Sequence, residues 1–207
     1  MEGLNVYNFV LVMTATYETL VERVQACTAC PRMEGRRRVL GAANGPLRAA
    51  AVLVGTAPGR HGAERTGVPF SGDRSGMALD ALLSRVGLTR GEVFITNAVL
   101  CNPQDAHGRN AEPTAAELRN CSAHLEAALR CVEAPLVVAL GRTAFTALAK
   151  TSGTAPSWQE ALGRATPWHD GRRLAASYHP GPRVWMQPQR RAALEAQWDS
   201  IFSRAPP

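Results

Sequence analysis

Lysine is nearly absent from this chain: Lys150 is the only one, and every other member of its 23 Lys and Arg residues is arginine. A genomic bias toward Ala, Gly, Arg and Pro could produce that imbalance. Whatever its origin, amine catalysis through a Schiff base has a single side chain to draw on. Long apolar runs are missing as well. No stretch approaches the roughly 18 consecutive apolar residues of a membrane span. The apolar residues 9–13 follow Glu2 rather than a basic segment, which makes a poor signal peptide. There is no internal repeat and no low-complexity tract. Charged residues at 19% and hydrophobic residues at 45% exclude wholesale disorder, collagen and coiled coil. The cysteine count of five is odd, which argues against a secreted disulfide framework and for metal ligation or buried thiols. A cytoplasmic, membrane-free protein is expected.

What is present fits one well-buried domain. The 207 residues carry a net charge of +6, which suits an anionic partner, nucleic acid first among them. Residues 1–15 are expected to be a flexible extension, with Met13 a second plausible start, and residues 16–204 to be a single domain, monomeric in solution. Apolar spacing predicts a helix over 16–26, running into Cys27. Short apolar runs at 50–54, 93–99, 135–140 and 174–178 predict strands, the first buried on both faces. Helices are predicted at about 75–86, from Thr114 through Cys131, from Gly141 to about Lys150, and over 188–204. Thr114 with Glu117 forms a capping-box pattern. Residues 102–113 read as a loop and 151–171 as a turn-rich connector. Strands alternating with helices imply right-handed crossovers and an α/β fold, a three-layer α/β/α sandwich around a four-stranded parallel sheet.

In such folds ligands bind beyond the carboxyl ends of the strands. That rule gathers Gly55, Thr56, Ala57, the Gly-rich stretch to Gly76, Asn97, Gly141 and His179 onto one rim. Taken singly, Asp73 reads as a helix cap or Asx turn, and Asn97 and His179 as satisfied polar groups at strand ends. Their ordered combination says more. Gly55-Thr-Ala-Pro-Gly59, Arg65-Thr-Gly67, Phe70-Ser-Gly-Asp-Arg-Ser-Gly76, Thr96-Asn97 and Tyr178-His-Pro180 together resemble the uracil-DNA glycosylase superfamily, from about Cys27 to Pro180. The Phe70–Gly76 stretch is similar to the broad-specificity branch, family 5. Thr56 stands where family 4 carries Glu, Gly59 is similar to family 4, and Gly181 replaces the Ser expected in family 5.

The resemblance implies a monofunctional DNA repair glycosylase that flips uracil, and other deaminated bases such as hypoxanthine and xanthine, out of DNA and hydrolyses the glycosidic bond. Asp73 would orient water and stabilise the cationic sugar. His179 would donate to the pyrimidine O2, Asn97 would read the base edge, and Phe70 would stack on the flipped base. Gly55, Thr56 and Ala57 would complete the base pocket. Arg74, Ser75, Arg183, Val184 and Trp185 would contact DNA, the last three as wedge candidates, although a Val-Trp-Met run packed under the final helix is an equal reading. Arg36, Arg37 and Arg38 are a candidate phosphate contact or simply a solvated charge run.

Cys27-x-x-Cys30 with Cys101 and Cys121 suits Zn²⁺ or a cluster on spacing alone. The resemblance to the iron-sulfur branches implies a structural [4Fe-4S] cluster. Cys131 has no counterpart in that pattern and reads as a buried thiol. A non-catalytic, cluster-bearing DNA-binding protein on the same fold is the rival. Asp73 separates the two, because a mere binder has no need of the acid.

Overall fold

The computed structural model describes residues 6–203, with side chains from residue 16 onward. Its centre is a sheet of five strands: β1 Ala51–Gly55, β2 Val93–Asn97, β3 Leu136–Leu140, β4 Thr166–Pro167 and β5 Arg173–Ser177, in the order β2-β1-β3-β5-β4. The four long strands are mutually parallel. The expected four-stranded parallel sheet therefore needs one correction, a fifth, antiparallel strand at the edge. Two residues carry no periodicity to read, and Pro167, which lacks an N–H, is tolerated only at such an edge.

Alternation within the parallel strands builds the two flanking layers. Val52, Val54, Phe94, Val137, Ala139, Leu174 and Ala176 face one side. There they meet helices α1 Val6–Gln25, α4 Ala115–Cys131 and α5 Arg142–Ser152 and the short α6 Trp158–Ala161. Leu53, Val93, Ile95, Leu136, Val138, Leu140 and Ala175 face the other. That side is covered by α3 Arg74–Arg85, the single turn α7 Pro182–Trp185 and α8 Pro188–Phe202, whose Leu194, Trp198 and Ile201 recur at helical spacing. One more single turn, α2 Ala63–Thr66, lies in the loop after β1.

The expected capping box of α4 forms, with Glu117 N–H donating to Thr114 Oγ1 at 3.2 Å and Thr114 N–H to Glu117 Oε2 at 2.7 Å. Helix α1 begins at Val6 rather than Thr16; residues 1–5 of the expected extension, and Arg204 at the expected end of α8, lie outside the described residues. The 151–171 connector holds α6, β4 and a 3₁₀ turn, elements too short to show a period. No described helix is long and apolar enough to cross a membrane.

Connections from β1 and β3 leave toward opposite faces, to α3 and to α5, which opens a crevice between their carboxyl ends. Registers align the rim: Gly55 lies beside Asn97, and Leu140 beside Ser177. Because Leu53 is buried in β1, an interior strand paired on both sides, Leu53→Ala should cost about 2–5 kcal/mol. Met77→Ala, at a side chain 72% exposed, should stay within about 0.5 kcal/mol. Denaturant midpoints of the two variants check this.

Candidate active site

The crevice is a cleft of about 690 Å³. Thr56, Ala57, Phe70, Asp73, Asn97 and His179 all line it, so the rim gathers the residues the sequence singles out. Asp73 is the N-cap of α3. Its Oδ1 accepts from Gly76 N–H at 2.9 Å. The cap reading is therefore right and incomplete, because Oδ2 is left over and lies against two glycines. A Cβ on Gly62 would stand 2.4 Å from Oδ2, and one on Gly59 2.9 Å from it. Only a bare backbone lets the carboxylate sit so deep.

Asn97 ends β2 and is 1% exposed, yet neither its Oδ1 nor its Nδ2 has a hydrogen-bond partner. Leaving both ends of a buried amide unpaired costs a few kcal/mol, and such a group needs an explanation. Gly55 does not itself line the cleft. It lies beneath, where a Cβ would stand 2.5 Å from Asn97 Oδ1 and 2.6 Å from Phe70 Cε2. Its missing side chain is what lets the amide and the ring meet there.

Phe70 adopts φ 49°, a left-handed conformation that non-glycine residues rarely accept. Two neighbours hold it. Arg90 donates to the carbonyls of Pro69 and Phe70 while pairing with Asp80 at 2.6 Å. Gly76 comes so close to the Phe70 carbonyl that a Cβ would stand 2.1 Å away. The Phe70 and His179 rings are 5.7 Å apart at 35°. His179 rests on Gly141 (φ 100°) and Gly181, where a Cβ would come within 3.2 Å of its Cβ and 2.9 Å of its Nδ1. Burial pushes the His179 pKa below the usual imidazole range, and the nearby Asp73 charge opposes that only in part. The imidazole is neutral near pH 7 and donates through one N–H.

Sequence reasoning missed the opposite wall. Asn102, buried, donates to the Pro58 carbonyl at 2.6 Å and to Asn110 Oδ1 at 3.0 Å, and Arg60 N–H donates to the same oxygen at 2.9 Å. Two donors on Oδ1 turn Asn110 Nδ2 toward Gly59, 3.8 Å from where a Cβ would sit. Asp73 Oδ2 and Asn110 Nδ2 thus flank the space that Gly59 leaves open. The polar character of 102–113 was the only signal, and it marked a loop, not a wall. Arg90 had no signal at all, since beside Asp80 its partners are backbone carbonyls about 20 residues away.

The DNA-contact candidates divide. Ser75, Arg183 and Val184 line the cleft, whereas Arg74 is exposed at the first turn of α3 and does not. Trp185 packs against the core under the Arg191 guanidinium, 4.3 Å from its ring centroid, and Val184 also touches that core. Arg38 donates twice to the Cys27 carbonyl, and Arg37 to the Glu64 carbonyl.

A second pocket of about 250 Å³ collects Cys27, Cys30, Cys101 and Cys121, while Cys131 lies apart in the core. Asn120 Nδ2 reaches Cys30 Sγ at 3.4 Å. Burial pushes the Cys101 thiol up to about 12 and the Cys121 thiol up to about 11. Among the described residues no three His, Cys, Asp or Glu side chains are grouped to hold a single metal ion. Arg32, just past Cys30, joins this pocket to the cleft wall: its guanidinium grips both oxygens of buried Glu117 and donates to the Glu112 carbonyl at 3.1 Å.

Residues 42–201 match the family model described as Uracil DNA glycosylase superfamily. The chain is 35% identical over 163 residues to the type-4 uracil-DNA glycosylase of Thermotoga maritima, covering 79% of this chain and 80% of that one. It is also 35% identical over 192 residues to the type-5 uracil-DNA glycosylase of Thermus thermophilus, covering 78% and 85%. Against the type-5 enzyme of Pyrobaculum aerophilum the identity is 33% over 197 residues, covering 80% and 83%. Similarity to both types agrees with a chain closest to family 5 that keeps features of family 4.

The lowered His179 pKa has a sign. Below about pH 6.5 the unfolded chain takes up a proton that the folded site refuses. Stability should therefore fall as the pH drops from about 6.5 to the depressed folded value, and lose nothing further to this group below it. His179→Gln should remove that portion of the loss, measured as denaturation midpoints on a pH series.

Proposed function

Because this chain belongs to the uracil DNA glycosylase superfamily, whose matching relatives are N-glycosyl hydrolases, we propose that it excises uracil from DNA by hydrolysis and leaves an abasic site. The observation that carries this reading is the buried, unpartnered amide of Asn97, opening into the same cleft as Asp73 and His179. An amide with one acceptor and two donors unsatisfied fits the Watson–Crick edge of an extruded base. Phe70, held in its strained turn, offers the stacking face.

Breaking the glycosidic bond sends its electron pair onto the base and leaves positive charge on the sugar. Neutral His179 donates a hydrogen bond to the pyrimidine O2 as negative charge gathers there. Asp73 Oδ2 faces the cationic sugar and orients the water whose oxygen bonds to C1′, with the released proton passing to solvent or to the departing base. Small side chains on the inner wall, Ala57, Gly59 and Ala63, leave room for a bicyclic base, so hypoxanthine and xanthine are included among the substrates. Arg183, exposed at the lip on α7, is the wedge candidate best placed to fill the gap in the stack. Lys150 lies in the last turn of α5, eight residues or about 12 Å of helix from the rim. An amine nucleophile is thus remote from the sugar, and the enzyme is monofunctional.

Cys27, Cys30, Cys101 and Cys121 would hold a [4Fe-4S] cluster. All four cysteines line one pocket of about 250 Å³, which has room for a group of that size. When bound, the cluster supplies a covalent cross-link between the segment after α1, the segment after β2 and α4.

Uracil-containing duplex incubated with the purified protein should yield free uracil; absence of excision would favour the non-catalytic binder. Asp73→Asn keeps an N-cap of equal quality, so stability should change by less than about 1 kcal/mol. Single-turnover excision should fall by about 10²–10³-fold, the usual effect of removing one electrostatic stabiliser. Elemental analysis should find iron and acid-labile sulfide, retained in Cys131→Ser and lost in Cys101→Ser. Stoichiometric zinc without sulfide is the contrary result.

A further inference from the structure

The 151–171 connector and the arginine at the start of α5 have no part in the chemistry above, yet they are built together. Arg142 is the first residue of α5, exposed, and lines the cleft. Its guanidinium carbon sits 4.8 Å from the centroid of the Trp158 ring. Trp158 is itself held, edge-on to buried Phe145 at 5.5 Å and 80°. The turn that carries it is closed by a capping box, with Ser157 N–H donating to Glu160 Oε2 at 2.7 Å and Glu160 N–H to Ser157 Oγ at 3.3 Å.

A guanidinium stacked on an indole face gains cation–π stabilisation while its N–H donors, which lie in its own plane, stay free at the edge. Among the described residues nothing takes them. Arg48, Arg85 and Arg90 are paired with Glu133, Asp199 and Asp80, whereas among the described residues Arg142 has no carboxylate within ion-pair distance. Glu112, the acid on the facing wall, takes the Thr143 hydroxyl at 3.4 Å instead. The side chain is therefore pre-oriented, charged and unspent, at the mouth of the cleft.

Its position gives the ligand. Phe145 of α5 belongs to the core on one face of the sheet, and Val184 of α7 packs against the core on the other. Arg142 and Arg183 thus flank the rim from opposite sides, with His179 on the segment between β5 and α7. We propose that Arg142, held over the face of Trp158, is a phosphate-binding site that grips the DNA backbone on the α5 side of the extruded nucleotide. The identity of the ligand as DNA rests on the glycosylase reading; the unpaired, stacked guanidinium does not.

The test uses the full chain and a fluorescent duplex containing a tetrahydrofuran abasic-site analogue, with affinity measured across a salt series. Arg142→Gln should weaken binding by roughly tenfold at low salt, the loss of one charge-assisted contact. The slope of log affinity against log salt should become shallower by about 0.9, one phosphate contact fewer. Arg142→Lys should restore the slope but only part of the affinity, since an ammonium lacks the planar fork. Trp158→Leu should lower affinity with the slope unchanged, because the charge remains and only its orientation is lost. Arg85→Gln is the control and should move neither. If Arg142→Gln leaves both slope and affinity at wild-type values, the phosphate site is wrong, and uracil release by the wild type still upholds the glycosylase. If the wild type releases no base while Arg142→Gln shifts the slope, the glycosylase reading falls and the phosphate site stands.

Discussion

One hydrogen bond, from the Gly76 amide to Asp73 Oδ1, ties the site to the scaffold. It satisfies an orphan donor at the start of α3 and so fixes where that helix begins, a role worth about 1 kcal/mol. Fixing the start of α3 brings Gly76 onto the Phe70 carbonyl and sets Asp73 Oδ2 over Gly59 and Gly62. The same carboxylate thus caps the helix with one oxygen and sets the other in the cleft wall. A helix cap is usually a surface convenience. Here the requirement that both oxygens be used explains why the surrounding loop is so rich in glycine, since a Cβ at Gly59, Gly62 or Gly76 would collide with Asp73 or with Phe70.

The cleft's two ends are held by different means. On the β-sheet side, Gly55, Gly141 and Gly181 allow Asn97, Phe70 and His179 to approach one another closely, and the desolvation that keeps His179 neutral follows from that crowding. The outer wall, residues 102–113, has little apolar burial of its own. It is held by the Asn102 and Asn110 amides against the loop after β1, and by Arg32, whose guanidinium joins Glu117 to the Glu112 carbonyl. Breaking a pair with one partner as buried as Glu117 is costly because the remaining charge stays desolvated. Through Arg32 the cysteine segment and the cleft wall are physically linked.

The electrostatic design is correspondingly divided. Arginines that shape the protein, such as Arg32, Arg38 and Arg90, are spent on carboxylates and carbonyls. Among the described residues the arginines at the cleft mouth, Arg142 and Arg183, have no acidic partner and face the space a polyanion would occupy. A formal excess of six positive charges would by itself be a weak argument, because many basic side chains are neutralised within the protein. Which ones are not neutralised is the informative quantity.

The sequence by itself determined the alternation of buried strands and helices, because an apolar run such as 51–55 between glycine-rich turns has few other ways to be satisfied. From that alternation the strand-end rule already placed Asp73, Asn97 and His179 on one rim, and the capping pattern Thr114–Glu117 was readable because it is local. The tertiary structure alone decided what spacing cannot encode. It made Asp73 both cap and cleft acid, left Asn97 unpaired beneath Phe70, and took Gly55 out of the lining and put it underneath. It also turned Trp185 inward against Arg191 and placed Trp158 under Arg142. Each of these depends on contacts between segments distant in the chain, where the energies of close approach and desolvation are set by the fold and leave no periodic trace in the residues that make them.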